Sequence, residues 1–208
     1  MLKKVDYKKS RKHMKQGDVI AFGGKGHFSE IIKTVTFSPV SHIGIILHTQ
    51  VVGDNNCRYF NQLIESTSLN GFSGVTINRM SDRLRDYDGD VWWLPLSDQS
   101  FEKLDLKKYF DFLFAQNRKP YDTVQAVKSA LDALDNLTGI TYNKEDYSKM
   151  FCSELATAGL KAGGLFSEVN ASEVTPIDMC KWNIYGPNYY QLSGSKKEIP
   201  GFNSKEVL

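Results

Sequence analysis

The first half of the chain alternates short apolar, β-branched runs with turn residues. Gln16-Gly17-Asp18 leads as a turn into the apolar run 19–22, a short strand. The segment His42-Ile43-Gly44-Ile45-Ile46-Leu47 is rich in β-branched residues and reads as a buried strand. Further strands are expected over 58–67, 74–80 and 89–96, with a last one over 184–192. The connections are short and turn-rich, which favours antiparallel neighbours over strand–helix–strand crossovers. A helix over 28–36, with Ser29 as cap, interrupts this series. Gly23-Gly24-Lys25-Gly26 reads as a flexible loop, and no Gly-Lys-Ser/Thr closes it into a phosphate cradle.

After residue 100 the period changes. Phe101, Leu104, Tyr109, Phe112 and Leu113 stand at helical spacing within 101–117. Val124, Val127, Leu131 and Leu134 form one stripe within 122–137. A third helix starts near Met150-Phe151-Cys152 and runs to Gly163-Gly164. Thr175-Pro176 has the form of a helix start, with Pro at the first position. A sheet-rich half followed by a helix-rich half gives an α+β class. At 208 residues the chain suits one domain, expected over 17–192. Residues 1–16 are expected as a basic, partly ordered arm and 193–208 as a loose tail.

Composition narrows the function classes. The formal net charge is +2, far from the strongly basic footprint of a nucleic-acid binder. The basic charge that exists is concentrated in MLKKVDYKKSRKHMKQ, which contains one acid, Asp6. Weak contact with an anionic surface is the functional expectation for it, and a solvated leader the plainer one. No apolar run follows it and none approaches the ~20 residues of a membrane helix, so a cytoplasmic location is expected. The three cysteines, Cys57, Cys152 and Cys180, have no CxxC spacing, and neither a disulfide framework nor a zinc site is expected. The histidines lack HExxH spacing, so no metal and no cofactor are expected.

Cys152 is the thiol with chemical promise. A helix N-terminus stabilises a thiolate through unpaired N–H groups and the dipole, although a small buried thiol fits the local pattern as well. His42 shifts that balance. It opens an apolar strand, with Gly44 two residues on to clear space beside the ring. Glu65, in NQLIESTS, is placed to accept from the imidazole and fix its tautomer, or else to face solvent. Asp18 and Glu154 compete with it, as a turn residue and a first-turn helix charge.

The ordered series GDVIAF, SHIGIIL, LIES, KPYD and MFCSELA resembles the circularly permuted NlpC-type papain-like enzymes, in particular the YaeF/YiiX-like family. The resemblance runs from about Gly17 to about Tyr190. It implies a papain-like fold, a small antiparallel sheet or barrel packed on the Cys-bearing helix. It makes Cys152 the nucleophile, His42 the base and Glu65 the third member of a triad, and it adds Tyr121 as a hydroxyl beside the nucleophile. It also implies hydrolysis of an amide in a peptide or N-acyl compound, cell-wall peptides included. The related acyltransferase branch carries Asn-Cys-Glu-His where this chain has Phe151-Cys152-Ser153-Glu154. Lipid acyl transfer or thioester hydrolysis on the same triad is the alternative activity, and a binding module on the same scaffold the non-enzymatic one.

Overall fold

The structure, a computed structural model, describes residues 1–52, 58–69, 71–120 and 151–207. The expected helix over 122–137, Cys57 and Tyr121 lie outside the described residues. Among the described residues seven strands form one open mixed sheet. They are β1 (Leu2–Lys4), β2 (Val19–Gly24), β3 (His42–Val52), β4 (Arg58–Leu69), β5 (Phe72–Arg79), β6 (Gly89–Leu94) and β7 (Tyr189–Ser193). Their spatial order is β1-β7-β6-β2-β3-β4-β5. All pairings are antiparallel except β1 with β7, which is parallel. The sheet is thus wider than the small antiparallel sheet or barrel expected; among the described residues β1 and β5 end the strand order, and residues 118–120 add backbone hydrogen bonds to Val75 on β5.

Period-two alternation decides what each face buries. Val19, Ala21, Ile43, Ile45, Ile64, Trp92 and Leu94 face the larger core. Ile20, Phe22, Ile46, Leu63, Val91 and Trp93 face a second, smaller one. Both faces of β2 are covered, so Gly23 and Gly24 finish that strand, pairing with Asp90 and Gly89, where a loop was expected. Gly23 has no room for a side chain: a Cβ would lie 2.5 Å from the Pro39 carbonyl oxygen.

The helices α1 (Tyr7–Ser10), α2 (His27–Val35), α3 (Met80–Asp86), α4 (Asp98–Lys103), α5 (Leu106–Gln116), α6 (Cys152–Ala162) and α7 (Pro176–Lys181) surround the sheet. Gly26, not Ser29, is the N-cap of α2. The single helix expected over 101–117 is broken at Asp105, whose carboxylate accepts from the Lys108 N–H at 3.0 Å and caps α5. Aspartate competes with the backbone inside a helix and satisfies it at a cap, which sets the break there. Thr175 caps α7 ahead of Pro176, as the sequence predicts.

Both termini are tied down. Leu2, 7% exposed, and Met14 anchor the basic leader in the two cores, and Asp6 caps α1. In the tail, Ile199 is buried, and Phe202 packs its ring against Tyr185 and Tyr189. A few apolar side chains among lysines are enough to order both segments.

Candidate active site

α6 presents Cys152 as its first residue, and two contacts set where that helix sits. Its N-terminal turn is closed by the Phe151 N–H, which donates to Glu154 Oε2 at 3.1 Å. Further along, Gly159 lies against Leu113 of α5, where a Cβ would come within 2.8 Å of Leu113 Cδ2. The close approach lets α6 pack down on β3 and β4, bringing its N-terminus to the rim where β3 begins.

His42 is the first residue of β3. Its strand partner is Phe22, whose ring centroid stands 5.3 Å from the imidazole. Gly44 has a different reason from the one expected. Its missing side chain makes room for Leu63, which a Cβ would meet at 2.8 Å. The His42 side chain is 16% exposed, and Nε2 lies 2.8 Å from Glu65 Oε2. Cys152 is within hydrogen-bonding reach of the same ring. With Nε2 engaged by Glu65, Nδ1 is the nitrogen left for the sulfur.

Glu65 is no solvent-facing strand residue: it is 0% exposed. Oε1 accepts from Asn78 Nδ2 at 3.0 Å and Arg83 Nε at 2.5 Å. Oε2 accepts from Arg83 Nη2 at 3.0 Å and faces His42. The four lone-pair positions of the carboxylate are therefore all used. Arg83, itself 7% exposed, lies with its Cζ 5.4 Å from the Phe22 ring centroid and 5.3 Å from that of Tyr87. Tyr87 is hydrogen-bonded to Ser41, and burial pushes its hydroxyl up to about 12.

The electrostatics favour an ion pair. Burial opposes charge on His42, yet the Cys152 sulfur and then Glu65 override it and raise the imidazolium to about 9. Burial likewise opposes the Cys152 thiolate. The His42 charge, its hydrogen bond and the N–H groups of Ile43 and Ser153 outweigh that, and the thiol is held below its ordinary value. Burial also opposes the Glu65 anion, but His42 and Arg83 hold its carboxyl down at about 2.

The rivals for Glu65 have other partners. Asp18 is buried and accepts from the Lys15 N–H, Trp93 Nε1 and the Leu96 N–H at 2.9, 2.7 and 3.0 Å, pinning the start of β2. Glu154 caps α6. Cys180 is buried, its Sγ donating to the Pro176 carbonyl at 3.2 Å, and burial pushes its thiol far up. Arg83, Asn78 and Tyr87 were not singled out from the sequence. A signal for Arg83 exists: Met80, Leu84 and Tyr87 share the smaller core's helical stripe, and Arg83 stands on that stripe. Among the described residues no three or more His, Cys, Asp or Glu side chains gather as a metal-ligand set would, and no helix is long and apolar enough to cross a membrane.

No model of a known protein family matches the chain, and no curated protein matches it. Among solved structures the chain is similar to the metalloprotein yiiX from Escherichia coli O157:H7, DUF1105, at 18% identity and a TM-score of 0.47. The match covers 72% of this chain and 66% of that one, just under two thirds of the yiiX chain.

Proposed function

We propose that the protein is a papain-like cysteine hydrolase that cleaves an amide bond of a peptide or N-acyl compound, cell-wall peptides included. The observation that carries this reading is the 2.8 Å contact between His42 Nε2 and Glu65 Oε2, with Cys152 at a helix N-terminus within hydrogen-bonding reach of the same ring. A cysteine, a histidine and a carboxylate in that sequence of contacts are the components of a thiol nucleophile, its base and an orienting group.

In the proposed reaction the Cys152 thiolate attacks the amide carbonyl carbon. The carbonyl π electrons move to oxygen, and the N–H of Cys152, at the first turn of α6, donates to that oxyanion. His42 transfers its Nδ1 proton to the amide nitrogen as the C–N bond breaks, leaving a thioester on Cys152. Neutral His42 then takes a proton from water, whose oxygen attacks the thioester. Collapse expels the thiolate and releases the acid. Glu65 keeps the ring in one orientation throughout, and no redox partner is needed.

The test is to incubate the protein with N-acyl and peptide p-nitroanilides and read both chromophore release and intact mass. An acyl adduct mapped to Cys152, absent in Cys152→Ala and not formed in His42→Ala, supports the reading. A release rate unaffected by Cys152→Ala rejects it. If release needs an added amine or lipid acceptor, the chain is an acyltransferase on the same residues.

A further inference from the structure

We propose that Arg83 is the positioning residue of this site: its fork orients Glu65 toward His42, and its charge sets the pH range in which Cys152 is a thiolate. The inference rests on the Cys–His–Glu reading above and goes beyond it to a residue on a different element.

The geometry carries the argument. Arg83 approaches Glu65 side-on, with Nε on Oε1 and Nη2 on Oε2. A carboxylate held by two parallel N–H donors cannot rotate about its last bond without breaking both. Asn78 occupies the second position on Oε1. The direction left open on the carboxylate is the one His42 Nε2 fills. Arg83 is fixed in turn, since its guanidinium is buried against the Phe22 and Tyr87 rings, and Phe22 also stands beside the imidazole.

The charge has a separate consequence. The groups that feel Arg83 are Glu65 on β4, Asp86 on its own helix and Tyr87 just after it. Through Glu65 the network continues to His42 and Cys152. In so buried a cluster, removing one positive charge makes every proton harder to lose. The alkylation rate of Cys152 against pH has two midpoints that belong to the pair: one where the thiolate forms, one where the imidazolium loses its proton. Both must rise when the Arg83 charge is removed. Arg83→Lys keeps the charge and loses the fork, so the lower midpoint must stay and the upper one must fall as Glu65 loses its hold on His42.

The experiment is iodoacetamide alkylation of Cys152 across pH in wild type, Arg83→Met and Arg83→Lys, with thermal melting of each as a fold control. The expected result is an upward shift of both midpoints by about one pH unit in Arg83→Met, and in Arg83→Lys an unmoved lower midpoint with a lowered upper one. Should Arg83→Met not fold, the comparison is repeated on the Glu65→Gln background, where no buried carboxylate is left unpaired; adding Arg83→Met there must raise the midpoints in the same way. Unmoved midpoints in a folded Arg83→Met protein, or a Lys variant that shifts as far as the Met variant, overturn the proposal and leave the triad standing. A wild-type Cys152 with no depressed midpoint overturns both.

Discussion

His42 Nε2 lies 2.8 Å from Glu65 Oε2, and that contact leaves Nδ1 as the ring nitrogen open to Cys152. A neutral imidazole has one N–H and one lone pair. With the Nε2 N–H donated to a buried carboxylate, Nδ1 is the nitrogen left for Cys152, carrying the proton in the imidazolium–thiolate pair and a lone pair once His42 is neutral. Glu65 therefore chooses the tautomer as well as stabilising charge.

Glu65→Gln removes the negative charge and keeps an acceptor of similar shape. The imidazolium loses one of the partners that raise it to about 9. The upper midpoint of the Cys152 alkylation profile is expected to move down, opposite to the direction expected for Arg83→Met. Two-dimensional nitrogen–proton spectra of the His42 ring across pH check this. An upper midpoint that stays near pH 9 in the variant contradicts the role given to Glu65.

Glu65 also links the site to stability. Its folded carboxyl titrates at about 2 against an ordinary 4.5. A depressed carboxyl stabilises the fold above the unfolded value, and that contribution is lost as pH falls from 4.5 toward 2. The loss is on the order of 3 kcal/mol for a shift of this size. Denaturant melts between pH 6 and pH 2.5 are expected to show it in wild type, with a much flatter pH dependence in Glu65→Gln.

Two thiols of the described residues should react very differently. Cys152 sits at a helix N-terminus beside a cationic ring, while Cys180 is buried with its thiol pushed far up. Peptide mapping after brief iodoacetamide treatment at neutral pH is expected to find Cys152 labelled and Cys180 untouched until the protein is denatured. Equal labelling in the folded state contradicts this contrast.

The α5–α6 contact seats Cys152. A side chain at Gly159 must displace Leu113 or push the helices apart. Gly159→Val is expected to cost about 1–3 kcal/mol of stability and to slow Cys152 alkylation at pH 6 by moving the sulfur from His42. Chemical denaturation and the alkylation rate measure the two effects. Unchanged values for both contradict the account of how α6 is seated.

Much of this arrangement was legible in the chain itself. The runs at 19–22, 42–47, 58–67, 74–80 and 89–96 lie on five of the seven strands, because alternation and β-branching report local backbone preference directly. His42, Glu65 and Cys152 were singled out by strand starts, helix starts and their order along the chain. β1 was not legible: three residues among lysines carry no period, and only pairing with β7 makes Leu2–Lys4 a strand. The break at Asp105 was hidden by apolar spacing that runs through both α4 and α5. Arg83 stands on the apolar stripe of Met80, Leu84 and Tyr87, but its partner on β4 is a tertiary contact no local pattern encodes. The Leu63 side chain beside Gly44 was not legible, because Leu63 pairs with Ile46 and reaches Gly44 diagonally across the strands.

The central claim, that His42 keeps Cys152 as a thiolate, is tested most directly by the rate of Cys152 alkylation by iodoacetamide from pH 5 to pH 10 in wild type and His42→Ala. Cys180 serves as the internal control. The account predicts fast labelling of Cys152 at pH 6 in wild type and a drop of about two orders of magnitude in His42→Ala, as the thiol returns to an ordinary value near 8.5 or above. A wild-type profile that already follows an ordinary thiol, or one that His42→Ala leaves unchanged, contradicts it.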